Sequence, residues 1–162
     1  MVMLSTTLAS GLENMIPTDQ ETVVLNRFSS AWETYFYGAS VAGIPVNPNS
    51  LAAATTALKA AMVGISVQNA GAIKIQTGIV AFWGIIATAA PTVWTTVPPC
   101  TGAIPPTTLT TIAASLTSVF AANTSSKLEL SAACAAIATA IHSKNLGGIC
   151  TIPIPGAPTP IL

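Results

Sequence analysis

The stretch AGAIKIQTGIVAFWGIIATAA, residues 70–90, decides how the chain is read. It is the most apolar long run in the sequence, and residues 77–96 carry no charge. A helix of about 20 apolar residues would cross a bilayer, rising about 1.5 Å per residue through about 30 Å of hydrocarbon. The same run could instead be a helix buried on most sides in a protein core. Pro91 separates these readings, because it lacks an N–H and disfavours helical geometry at Ala90. A helix ending there leaves residues 78–90, too short to span. Lys74 and Gln76 stand at its start, and the positive flanks that orient a span are missing. The expectation is a core helix. A small membrane-inserted protein using residues 78–96 is the alternative.

Working outward, the composition has the same character. Of 162 residues, 51% are hydrophobic and 6% charged, where about 25% charged is typical. Five basic residues balance five acidic ones. No basic stripe exists, so nucleic acid is not an expected partner. A surface this poor in ions favours association with neighbours. The length fits one domain with a real core.

On the N-terminal side, Leu4, Leu8 and Leu12 recur every fourth residue and predict a short helix, stopped by Pro17. Thr18 and Glu21 have the spacing of a capping box, opening a helix to about Tyr37 with Val24, Phe28, Trp32 and Phe36 inside. Residues 39–49 read as a loop. Ser50 is the expected N-cap of a helix over residues 51–63, whose small side chains allow close packing. Asn69 is the expected cap of the central helix.

On the C-terminal side, residues 92–106 form a proline-rich loop containing Trp94. A helix follows from Thr107 or Thr108, with Leu109, Ile112, Leu116, Val119 and Phe120 inside. Another runs over residues 128–143 on Leu130, Ala133, Ile137 and Ile141. The fold class expected is all-α: a compact bundle of about five helices with proline-rich loops, residues 1–150, and an extended C-terminal arm, residues 151–162. In that arm Pro153, Pro155, Pro158 and Pro160 exclude helix and favour an extended, stiff conformation. Its Ile152, Ile154, Ile161 and Leu162 cannot build a core of their own. They are the candidate interface residues, docking on a neighbouring subunit, with Trp94 as a possible loop anchor.

Chemistry is scarce. The single His142 lies near a helix end, where the dipole favours a cation. No G-x-S-x-G elbow, phosphate loop, metal-ligand cluster or carboxylate pair stands out, so no catalytic residue, metal or cofactor is expected. Cys100, Cys134 and Cys150 read first as small buried thiols; a Cys100–Cys150 bridge stays open. The N-terminus lacks the charged start of a secretory signal, so a reducing cytoplasm is expected.

Several stretches together resemble a known group: SAWETYFYG at 30–38, LAAATTALKAAMVG at 51–64, GIVAFWGIIATAAPTVW at 78–94, and LTSVFAAN with LSAACAAIATAIHSKNLGG within 116–148. They are similar to small structural proteins of tailed bacteriophages, of the T4-like myophage or prophage tail-cluster type. The resemblance implies a non-enzymatic virion component of the tail, baseplate or neck, or a capsid decoration or cement protein. It implies other virion proteins and further copies of the chain as partners, and assembly in the bacterial host cytoplasm.

Overall fold

The structure, a computed structural model, describes residues 3–14, 20–67, 70–95, 100–126, 129–151 and 159–162, with residues 124–126 described by backbone alone. Among these, six helices carry most of the chain: α1 (Ser5–Glu13), α2 (Glu21–Phe36), α3 (Ala52–Met62), α4 (Gly71–Val93), α5 (Ile112–Ser126) and α6 (Leu130–Asn145). Five short strands accompany them: β1 (Ser40–Val41), β2 (Ile44–Pro45), β3 (Gly102–Ile104), β4 (Ile149–Thr151) and β5 (Thr159–Pro160). The helical expectation holds for the bulk of the fold. It is corrected at one end, where β1–β2 and β3–β4–β5 form two small antiparallel sheets.

The central run forms α4, and Pro91 does not stop it. The missing Pro91 N–H costs one ladder bond in the last turn. Burial of Val93 and Trp94, both 0% exposed, offsets that loss at about 1.5–3 kcal/mol per side chain. The Asn47 N–H then donates to Val93 O at 2.8 Å and completes the end of the helix. At 23 residues α4 is long and apolar enough to cross a membrane, so the length argument from Pro91 falls. Its inward face, Ile75, Ile79, Phe82, Trp83 and Ile86, is buried in the domain, while its outer face is not.

Two close approaches hold the helices. A Cβ built at Gly78 would lie 2.4 Å from Met62 Cγ and 3.2 Å from Leu58 O, so α3 and α4 meet almost backbone to backbone. A Cβ at Gly11 would lie 2.4 Å from Ala31 Cβ, which fixes the contact of α1 with α2. Between them Phe36 of α2 is the hub of an aromatic cluster. It lies edge-on to Phe82 at 4.8 Å and Trp83 at 5.4 Å, and is tilted against Trp94 at 6.2 Å.

Several local expectations shift. Leu4 is exposed and Met3 is buried in its place. Thr18 and Asn69 lie outside the described residues; Glu21 accepts from Gly64 N at 2.7 Å, across to the α3–α4 turn. Asn47, not Ser50, is the capping side chain ahead of α3, accepting from Asn49 N in the turn Pro48–Ser50. The buried line of α6 is Cys134, Ala138, Ile141 and Asn145, while Leu130 is exposed. An alanine-rich helix has little contrast between faces, so its long-range partners choose the face that turns inward.

Candidate functional site

The sheets come together at residues 159–162. Pro160 and Thr159 pair with Ile149 and Cys150 of β4. Ile161 N donates to Gly148 O at 2.7 Å, and Ile161 bridges Val41. Ser40 and Leu162 exchange both backbone hydrogen bonds, at 2.8 and 3.0 Å. The segment thus runs between two partners, β4 on one side and β1 on the other. Ile161 is 2% exposed and fills a socket floored by Gly148 and Trp83. A Cβ at Gly148 would lie 2.9 Å from Trp83 Cη2 and 3.3 Å from Ile161 Cδ1, so a side chain there would close the socket.

Local sequence shapes both walls. β1 and β2 are joined by Ala42 and Gly43, with φ of 50° and 80°, as a two-residue hairpin turn of the primed kind requires. Beside β4, Cys150 is bonded to Cys100, with Cα atoms 6.2 Å apart, inside the usual range for a disulfide. The reading of these two as free thiols is therefore corrected. Cys134 is free and buried.

Behind the socket lies a buried polar chain. Trp83 Nε1 donates to Asn145 Oδ1 at 2.7 Å. Asn145 Nδ2 donates to Tyr35 Oη at 3.3 Å, with Met3 Sδ at 3.5 Å. Tyr35 Oη lies 2.9 Å from His142 Nδ1. Tyr35 Oη and His142 Nδ1 share one hydrogen bond, its direction set by the imidazole's tautomer. Burial pushes Tyr35 up to about 12 and His142 below its ordinary value. Burial of His142 thus works against the cation expected at the helix end. Tyr35 and Asn145 are 1% and 0% exposed, so the chain of bonds holds α2, α4 and α6 together from inside.

The outer faces of the helices are different. Along α4 the exposed positions are Ile73, Thr77, Val80, Gly84, Thr88, Pro91 and Thr92. Those of α3 are Ala52, Ala53, Thr56 and Ala60. No exposed position described on α3, α4, α5 or α6 is charged, and Lys59, Lys74 and Lys144 are half-buried. The hydroxyls turn back on their own helices: Thr56 to Ala52 O, Thr77 to Ile73 O, Thr88 to Ile85 O, Thr117 to Ala113 O. These faces present methyl groups. Between α1 and α2 an open groove of about 590 Å³ is lined by Thr7, Ser10, Asn14, Arg27, Ser30 and Thr34, and Arg27 Nη1 donates to Asn14 O.

Of the sequence-derived interface residues, Trp94 is 0% exposed and belongs to the aromatic core, not to a loop surface. Its indole N–H has no partner among the described residues. Ile161 is internal, Leu162 is 54% exposed, and Ile152 and Ile154 lie outside the described residues. The described end of the arm is therefore seated on its own chain, because the socket offers it both backbone partners and a buried pocket. Ser40, Val41 and Gly148, which build that socket, were not singled out by sequence. The one available signal was Gly43 between the β-branched Val41 and Ile44, a weak turn mark because Ala42 is not a residue that primed turns favour. Among the described residues no group of three His, Cys, Asp or Glu could hold a metal ion. No protein family, curated protein or solved structure matches the chain.

Proposed function

We propose that the chain is a non-enzymatic structural subunit of a tailed-phage virion, a tail, baseplate or neck component, working by apolar packing against further copies and other virion proteins. One observation carries this: the exposed positions of four helices are uncharged, and their hydroxyls are already bonded within the helix. Free soluble surfaces are about 25–35% charged. Small residues let neighbouring backbones come close, and contact there strips no ion of its water. The Cys100–Cys150 bridge supports the same reading, since disulfides persist on virions outside the cell and are rare in the cytosol.

Two measurements test it. Sedimentation of the full chain over rising concentration should show self-association, and Val80→Lys on the outer face of α4 should weaken it. A monomer at all concentrations rejects packing as the mode of action. Mass spectrometry of purified particles from the encoding phage should find the chain in stoichiometric amount, and its absence from particles rejects the virion role. A membrane-inserted protein is the second reading, favoured by the length of α4. Detergent-free fractionation into the membrane pellet would select it.

A further inference from the structure

The position between β1 and β4 is a strand acceptor with two edges. If residues 159–162 were withdrawn, Ser40 N and O and Gly148 O would lose their backbone partners, and a socket against Trp83 would open. A buried backbone group without a partner is costly, so the position needs an occupant. The occupant described here comes from the same chain, joined to β4 by residues 152–158. That connection has Pro153, Pro155 and Pro158 and no charge. β4 and β5 are antiparallel neighbours, Cys150 opposite Thr159.

We infer that this slot is also filled in trans: residues 159–162 of one copy enter the β1–β4 slot of a second copy. The inference rests on the reading of the chain as a multi-copy subunit. The chemistry of the occupant follows from the slot. Both edges offer backbone donors and acceptors, and the one deep pocket takes a β-branched aliphatic side chain at the Ile161 position. Residues 159–162 of a second copy match all of this, because they make the same bonds in their own chain. Opening the connection exchanges each intrachain bond for an identical interchain bond, which makes strand exchange a low-cost route to assembly.

Two single variants of the full chain test this, Val41→Cys and Ile161→Cys, carrying different tags and co-expressed. Val41 and Ile161 are 0% and 2% exposed, so neither position meets another copy unless strands exchange. They flank the doubly bonded Ser40–Leu162 pair and form the close kind of antiparallel pair, whose Cα separation of about 4.5 Å lies within disulfide range. The expected result is a mixed-tag dimer on a non-reducing gel, lost on reduction and missing from either variant expressed alone. If the wild-type chain self-associates but no mixed dimer forms, exchange is overturned and face-to-face packing stands. If the wild-type chain is monomeric and no mixed dimer forms, both readings fall. Thermal melting confirms that each variant folds, and the pair Ser40→Cys with Leu162→Cys repeats the test should either fail.

Discussion

In the α3–α4 hairpin, partners lie within a few turns of each other along the chain. Met62 meets Gly78, and the two helices need little beyond close contact. In the ribbon at the other end, Ser40 bonds to Leu162 and Gly102 pairs with Thr151. Each strand is two or three residues long and has no stability of its own. The hairpin draws on local helix-forming sequence and packing. The ribbon depends on long-range closure, on one buried isoleucine and on a disulfide. The first kind of structure tolerates change spread over many contacts, and the second fails at single points.

The sharpest way to break that contrast is Cys100→Ala with Cys150→Ala. The bridge spans 50 residues of sequence, and loop entropy gives it about 4 kcal/mol. The melting temperature should fall steeply, and amide exchange should speed up in β3 and β4 well before α3 and α4. Equal loss of protection in both regions would show that they are one cooperative unit. Next in size is Ile161→Ala, which empties the socket at about 2–4 kcal/mol by denaturant unfolding. The same measurement on Gly78→Ala tests the hairpin. Overpacking costs about 1–3 kcal/mol, and the effect should sit high in that range because Met62 Cγ and the Leu58 carbonyl both crowd the new methyl.

Smaller effects refine the picture. Ala42 holds a positive φ that costs a non-glycine residue about 1–2 kcal/mol. Glycine's greater unfolded freedom returns about 0.5–1 kcal/mol of that. Ala42→Gly should therefore stabilise by up to about 1 kcal/mol, read as a raised melting temperature. The smallest effect expected is on pH. Folded His142 holds its proton more weakly than the unfolded side chain. Its contribution is therefore full above the ordinary value of 6.5 and is lost as pH falls below it, levelling off once the folded imidazole also protonates. Melting temperatures at pH 7.5 and pH 5 should differ in that direction, and His142→Gln should remove this part of the difference.

Much of the helical part was legible. The spacing of Phe28, Trp32 and Phe36 predicts a buried face, and all three side chains are buried. Leu109, Ile112 and Leu116 behave likewise. The face of α6 was not legible, because alanine on every side gives no contrast. Its orientation follows from Asn145 reaching Trp83, a pairing that no local pattern announces. Trp94 follows a proline and reads as a loop residue, yet Phe36 draws it into the core. Of the site, sequence singled out the arm and its aliphatic residues but not the slot that receives them, since Ser40, Val41 and Gly148 are ordinary residues until they are brought together.

The sequence by itself determined that the chain would be helical, apolar and short of ions, because periodicity and composition act over a few neighbouring residues. Tertiary structure alone decided that α4 would run past Pro91, that Cys100 would meet Cys150, and that residues 159–162 would lie between β4 and β1. Each of these depends on the free energy of a contact between distant segments, and such a contact leaves no periodic trace in either one.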